Sequence, residues 1–246
     1  MNTILQKANL WIKFPSSIEE IREAQRLGQQ VYSFPSAIGD MDCTHVRIPK
    51  PSEFGDEYIN RKGFASIDVQ ATCDAQDKFT SVDVQWPGST HESRIWKRSN
   101  ICAVLRCNTQ RALLLADEGY GIEPCLMTPY QNPNTPEETR YNNLLKKERV
   151  CIERCFGQLK QRFSILQYKA RLKLENIPKL IVCCVVLHNI AKTLCDPDFD
   201  LEELQPNDVN NYIEGNENDD IRRSGMRRRE KVLLSILFFN KICKVS

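Results

Sequence analysis

Residues 112–121 read ALLLADEGYG. An apolar run of this kind, closed by a glycine-bracketed turn, reads as a strand buried inside an α/β sheet. The run ends on a carboxylate, Asp117. An acidic turn residue closing a strand is one reading. The other is a ligand-holding carboxylate at the carboxyl edge of the sheet, where α/β proteins commonly bind ligands.

The flanking segments supply the rest of such a sheet. Ser17-Ile18-Glu19-Glu20 is a capping box, which predicts a helix over 18–31 ending before Phe34-Pro35. The stretch AIGDMDCTHVRIP is short and alternating and reads as a strand. In SIDVQATCD, residues 66–74, Ile67, Val69, Ala71 and Cys73 alternate with polar neighbours at period two. KFTSVDVQW follows as its hairpin partner, and Pro87-Gly88 ends it. A helix is predicted over 92–106, then the strand over 112–117. After the proline-rich loop TPYQNPNTPEETR, Ile152, Phe156, Leu159 and Phe163 step by four, three and four, the face of a helix over 138–165. A second apolar helix covers 176–195. Three early strands followed by strand–helix alternation imply a mixed sheet flanked by helices.

The chain has 246 residues, enough for one domain with extensions and a substantial core. Its net charge of +2 hides a segregation. Residues 140–173 hold ten Lys and Arg against two Glu, a surface suited to a polyanion such as nucleic acid. Residues 196–220 hold ten acidic residues and no Lys or Arg, as a disordered acidic linker would. RRSGMRRREK, residues 222–231, is either a nuclear-localisation patch or a solvated run, and VLLSILFF beyond it suits packing or a membrane surface. No apolar run approaches the roughly 20 residues of a membrane span, and the N-terminus lacks a signal peptide's apolar core. The eleven cysteines are scattered with no CxxC pair, so they read as reduced core residues of a cytosolic or nuclear protein.

Four carboxylates stand out by position: Asp42 within the first strand, Glu92 after the turn PGSTH, Asp117 at the buried strand's end, and Glu153 beside the apolar helix face. Mg²⁺ and Mn²⁺ are hard cations that prefer oxygen ligands. Two such ions about 4 Å apart activate a water or a 3′-hydroxyl and stabilise the leaving oxygen in phosphodiester cleavage. Among 32 acidic residues some fall at strand ends by chance, and Asp40 shares the strand face of Asp42. Spacing therefore leaves both readings open for each carboxylate.

With their flanks, these residues resemble the Harbinger transposase-derived nucleases of the PIF/Harbinger superfamily of DDE transposases. The stretches IGDMDCTHVRI, YINRKGFASIDVQATCD, WPGSTHES, LLLADEGYG, LMTPY, TPEETRYN, IERCFGQLKQRF and CCVVLHNIA occur in the family's order across about 34–195. The resemblance implies an RNase H-like fold and a divalent-metal-dependent nuclease acting on DNA, with two Mg²⁺ or Mn²⁺ ions. Asp42, Asp117 and Glu153 match the family's catalytic and metal-binding triad, and Glu92 falls on a fourth acidic position, usually Asp. Asp68 stands where the family often has Asn. The family carries a helix-turn-helix-like region upstream; here residues 1–36 are read as a short helical extension. Family members work with a separate Myb/SANT-like DNA-binding protein, which implies such a partner, a nuclear or cytosolic location and room for oligomerisation.

These readings give an organisation of 1–36 as extension, 37–195 as endonuclease domain, 196–221 as acidic linker and 222–246 as basic and apolar tail. Candidate nucleic-acid contacts are Arg61 and Lys62 in the turn NRKG, and Arg149 and Lys160 on the side of the helix bearing Glu153. His45 reads as packing or orienting, His91 as a loop histidine, and His188 as a satisfied core histidine. A metal-dependent nuclease, a domesticated module that binds without cleaving, and a truncated transposon relic are the three functional expectations.

Overall fold

The computed structural model describes residues 1–31, 34, 36–107, 112–196 and 219–242, with backbone alone for 235–242. Five strands form one mixed sheet: β1 (Gly39–Arg47), β2 (Ser66–Cys73), β3 (Phe79–Pro87), β4 (Leu114–Leu115) and β5 (Leu126–Met127), in the order β3-β2-β1-β4-β5. β2 is antiparallel to both β1 and β3, and β4 and β5 are parallel to β1. The helices are α1 (Asn2–Gln6), α2 (Ala8–Trp11), α3 (Ile18–Val31), α4 (Glu92–Arg98), α5 (Asn100–Cys107), α6 (Pro136–Arg162), α7 (Ser164–Gln167), α8 (Ile177–Thr193) and α9 (Asp219–Ile242). This is a mixed sheet with helices on both faces, consistent with the RNase H-like expectation.

The period-two pattern of β2 sets the layers. Ala71 pairs with Asp42 and Val69 with Thr44, so Ile67, Val69, Ala71 and Cys73 all face one side. There they meet Ile152, Phe156 and Leu159 of α6 and Ile181 and Val185 of α8. The opposite face carries Met41, which packs with Trp96 of α4, Leu105 of α5 and Ile21 of α3. A third cluster joins Leu113 and Met127 to Tyr141 and Leu145 of α6 and Val232 of α9.

Local chemistry fixes the ends of these elements. The capping box before α3 is formed reciprocally: Glu20 N–H donates to Ser17 Oγ at 3.1 Å, and Ser17 N–H to Glu20 Oε2 at 3.1 Å. Thr135 caps α6, accepting from Glu138 N–H at 3.1 Å, with Pro136 in the first turn. At Gly39, which opens β1, an added Cβ would lie 2.1 Å from the Cys73 carbonyl oxygen, so only glycine admits this pairing.

Several expectations are corrected. The helix over 92–106 is two helices, broken at Ser99. Its backbone is extended there, and its hydroxyl donates to Trp96 O at 2.9 Å and accepts from Cys102 N–H at 3.1 Å. The strand over 112–117 pairs as a ladder only at Leu114–Leu115, because the chain turns at Asp117, and β5 was not anticipated. β2 is buried on both faces, with its polar alternates Asp68, Gln70 and Thr72 as buried as their apolar neighbours. The run 222–231 lies within α9, which seats Gly225 against the Glu123 backbone and stacks Arg229 over the Tyr130 ring at 3.7 Å.

By length and composition, the helical stretch Leu174–Thr193 could cross a membrane. Here it packs Ile177, Ile181, Cys184 and Val185 into the core. Except for Asp196 and 219–221, the expected acidic linker lies outside the described residues.

Candidate metal centre

The parallel pairing of β1 with β4 builds the site. Asp40 is level with Leu115, so two residues further along, Asp42 and Asp117 come level at the carboxyl end of β4. Asp117 is held by the turn it opens, its Oδ1 accepting from Gly119 N–H at 2.8 Å. Asp42 Oδ1 accepts from Cys43 N–H at 2.8 Å. Glu92, in the first turn of α4, completes the group, and carboxylate oxygens of Asp42, Glu92 and Asp117 lie within 4.8 Å of one another. His91 caps that helix, its Nδ1 accepting from Ser93 N–H at 3.3 Å.

Three converging carboxylates repel. Burial pushes the Asp42 carboxyl up to about 6 against the pull of Arg149, and Asp117 adds to the push. Burial, then Asp117 and Asp42, also raise the Glu92 carboxyl well above its ordinary value. The standing counter-charge is Arg149 on α6, whose guanidinium donates to Asp42 Oδ2 at 3.1 Å and reaches Asp117 Oδ2 at 4.0 Å. Burial works against the Arg149 cation, and Asp42, Asp117 and Glu153 more than offset it. Glu92 Oε2 is buried with no hydrogen-bond partner in the described structure. A hard oxygen donor set with an unsatisfied buried oxygen fits a divalent cation such as Mg²⁺ or Mn²⁺.

The remaining candidates lie around this group. Glu153 sits on α6 one turn beyond Arg149; it is exposed and outside the trio, but near enough to raise the Asp42 carboxyl. Arg149 and Lys160 do not stand out as free basic side chains. Lys160 Nζ donates to Thr44 Oγ1 at 2.7 Å and His45 O at 3.1 Å, and burial lowers its pKa to about 8. Arg61 and Lys62 are exposed in their turn, and Arg61 bears on the His91 ring electrostatically. His45 faces away from Asp42, near Ser66 Oγ at 3.3 Å, and burial lowers its pKa to about 4. His188 is in the core, its Nε2 3.0 Å from Asp77 O.

Asp68 is the residue the sequence pattern undervalued. It is buried beside the site, and burial followed by the Asp42 charge raises it to about 7. Period-two alternation marks it only as a polar residue between apolar ones. The signal for it was the register opposite His45 on a central strand, which is set only when β1 and β3 flank β2.

Comparison with known proteins identifies the family. The DDE superfamily endonuclease profile matches residues 41–189. "Putative nuclease HARBI1" of Homo sapiens is 30% identical over 192 residues, covering 76% of this chain and 55% of that protein. Its Xenopus laevis counterpart is 29% identical over 196 residues, with the same coverage. "Protein ALP1-like" of Arabidopsis thaliana is 25% identical over 218 residues, 81% of this chain and 53% of that one. The match thus spans about half the length of these relatives. No solved structure gives a significant match. On the matched profile and the identity over most of its length, the chain belongs to the Harbinger transposase-derived nuclease family of DDE superfamily endonucleases.

Proposed function

We propose that this chain is a divalent-metal-dependent nuclease that hydrolyses DNA phosphodiester bonds, with Asp42, Asp117 and Glu153 catalytic and Glu92 a further ligand. The observation that carries the reading is the convergence of Asp42, Glu92 and Asp117 within 4.8 Å around a buried, unsatisfied carboxylate oxygen. Two Mg²⁺ or Mn²⁺ ions supply water activation and charge neutralisation at the scissile phosphate when bound. Asp42, on a rigid central strand, and Asp117, fixed by its own turn, hold their oxygens in place beforehand. Glu153, exposed at the rim, approaches from the α6 side. Arg149, 3.1 Å from Asp42 and 4.0 Å from Asp117, holds these two carboxylates in position until a cation competes for them. Lys160, charged at neutral pH and fixed to the strand of Asp42, and the exposed Arg61 and Lys62 add positive potential for the DNA backbone. DNA is the substrate, a Myb/SANT-like protein the targeting partner, and the nucleus the site of action.

A second reading is favoured by one observation. Arg149 already neutralises part of the site, as it would in a DNA- or protein-binding module that no longer cleaves. Nicking of supercoiled plasmid with Mn²⁺, Mg²⁺ or EDTA, in wild type, Asp42→Asn and Glu153→Gln, separates the two. The nuclease reading expects metal-dependent nicking lost in both variants. Tight DNA binding without nicking would establish the module instead.

A further inference from the structure

On the α6 side of the sheet, one pairing step along the strands from Asp42, three cysteines meet. Cys73 ends β2, and Cys151 and Cys155 are one turn apart on α6. Their Sγ atoms lie within 4.8 Å of one another, all are buried, and none of the described cysteines is in a disulfide. Cys73 Sγ–H donates to Cys151 Sγ at 3.6 Å. Tetrahedral zinc with Zn–S bonds of about 2.3 Å sets its sulfurs roughly 3.8 Å apart, so the three thiols stand near the spacing such an ion needs.

Two oxygen donors lie beside them. Asp77 Oδ1 is 3.2 Å from Cys151 Sγ, in a hairpin turn where Asp77 takes φ of +58°. Asp40 is the register partner of Cys73 on the neighbouring strand, so both side chains face α6. Asp40 is 3% exposed, and its Oδ1 has no hydrogen-bond partner in the described structure. An orphaned buried carboxylate next to a three-thiol cluster is costly unless something there uses it. Three thiolates and one carboxylate on a divalent cation leave two negative charges. Arg154, bound to Asp77 at 2.5 and 3.0 Å, and Lys192, 3.4 Å from Asp77, supply two nearby positive ones.

We propose that Cys73, Cys151 and Cys155 form a structural thiolate site for a thiophilic cation of the Zn²⁺ class, with Asp40 or Asp77 as the fourth donor. On binding, the thiol protons leave to solvent and no redox step is involved. The site ties the start of the β2–β3 hairpin to the α6 segment that carries Arg149 and Glu153, so it fixes the register of that helix against Asp42. It uses soft sulfur donors where the trio offers hard oxygen, and it stands whether or not the chain cleaves DNA.

The test uses the full chain, purified under reducing conditions, stripped with chelator and titrated with Cd²⁺ and then Zn²⁺. The expected result is a thiolate-to-metal charge-transfer band saturating at one equivalent. It should persist in Asp42→Asn and in Cys107→Ser/Cys195→Ser, and disappear in Cys73→Ser and Cys155→Ser. X-ray absorption at the zinc edge of the unmodified chain should show three sulfurs at about 2.3 Å, a readout that does not depend on any variant folding. An oxygen-only shell, a band that survives both cysteine variants, or no band in the folded chain would overturn the proposal and leave three packed thiols.

Discussion

At Arg149 a guanidinium stands where a cation is expected to act, 3.1 Å from Asp42 and 4.0 Å from Asp117, with its side chain 17% exposed. Removing one partner of a buried ionic group costs about 3–5 kcal/mol, because the other is left uncompensated. Arg149→Met should therefore lower the stability of the metal-free chain by roughly that amount. Mn²⁺ should restore much of it in thermal unfolding with and without EDTA. Equal losses with and without Mn²⁺ would mean that no cation takes over the neutralising role. The pH dependence follows from Asp42. Its folded pKa, near 6, lies above its unfolded value of about 3.9, so in the metal-free chain its burial costs stability as pH rises from about 4 to 6. A bound cation needs the ionised form, so Mn²⁺ affinity should weaken as pH falls through 6, read by calorimetry at several pH values. The carboxylate positions were legible because strand ends and flanking motifs mark them. The partner of Arg149 was not, since a sequence shows a charge on a helix but not the strand it leans on.

Among the elements, the helix capped by Ser17 with Glu20 and the period-two strand through 67–73 were readable because their signals are local. The Thr135 cap that starts α6 at Pro136, by contrast, lay inside the stretch read as a proline-rich loop. Helix α9 and strand β5 were not readable, because both depend on docking. Gly225 of α9 lies so close to Glu123 that a Cβ would come within 2.9 Å of its backbone. Gly225→Leu should lift this helix off β5 and raise proteolytic cutting in 219–242 while the sheet stays folded. Unchanged protection would mean that the helix is held without that close approach. Gly39→Ala, forced against Cys73 O, should destabilise the sheet by about 1–3 kcal/mol in denaturant unfolding. That loss belongs to the pairing of β1 with β2, which also sets the height of Asp42 in the sheet.

For the whole molecule, the charge segregation was visible in composition, but where the positive residues point was not. Arg149, Arg154 and Lys160 face inward to Asp42, Asp77 and Thr44, leaving a smaller exposed basic surface than ten Lys and Arg suggest. Arg61→Ala/Lys62→Ala should weaken DNA binding similarly across sequences and reduce the salt slope by about 1 for each phosphate no longer neutralised. An unchanged slope would remove that turn from the DNA path.

The central claim is that Asp42, Glu92 and Asp117 form a cation site. Mn²⁺ binding to the full chain at neutral pH, followed by the paramagnetic resonance of the free ion, tests it most directly. The account predicts saturable binding in the wild type that is lost in Asp117→Asn, with the fold retained by circular dichroism. Mn²⁺ binding unchanged in Asp117→Asn and in Asp42→Asn would contradict it.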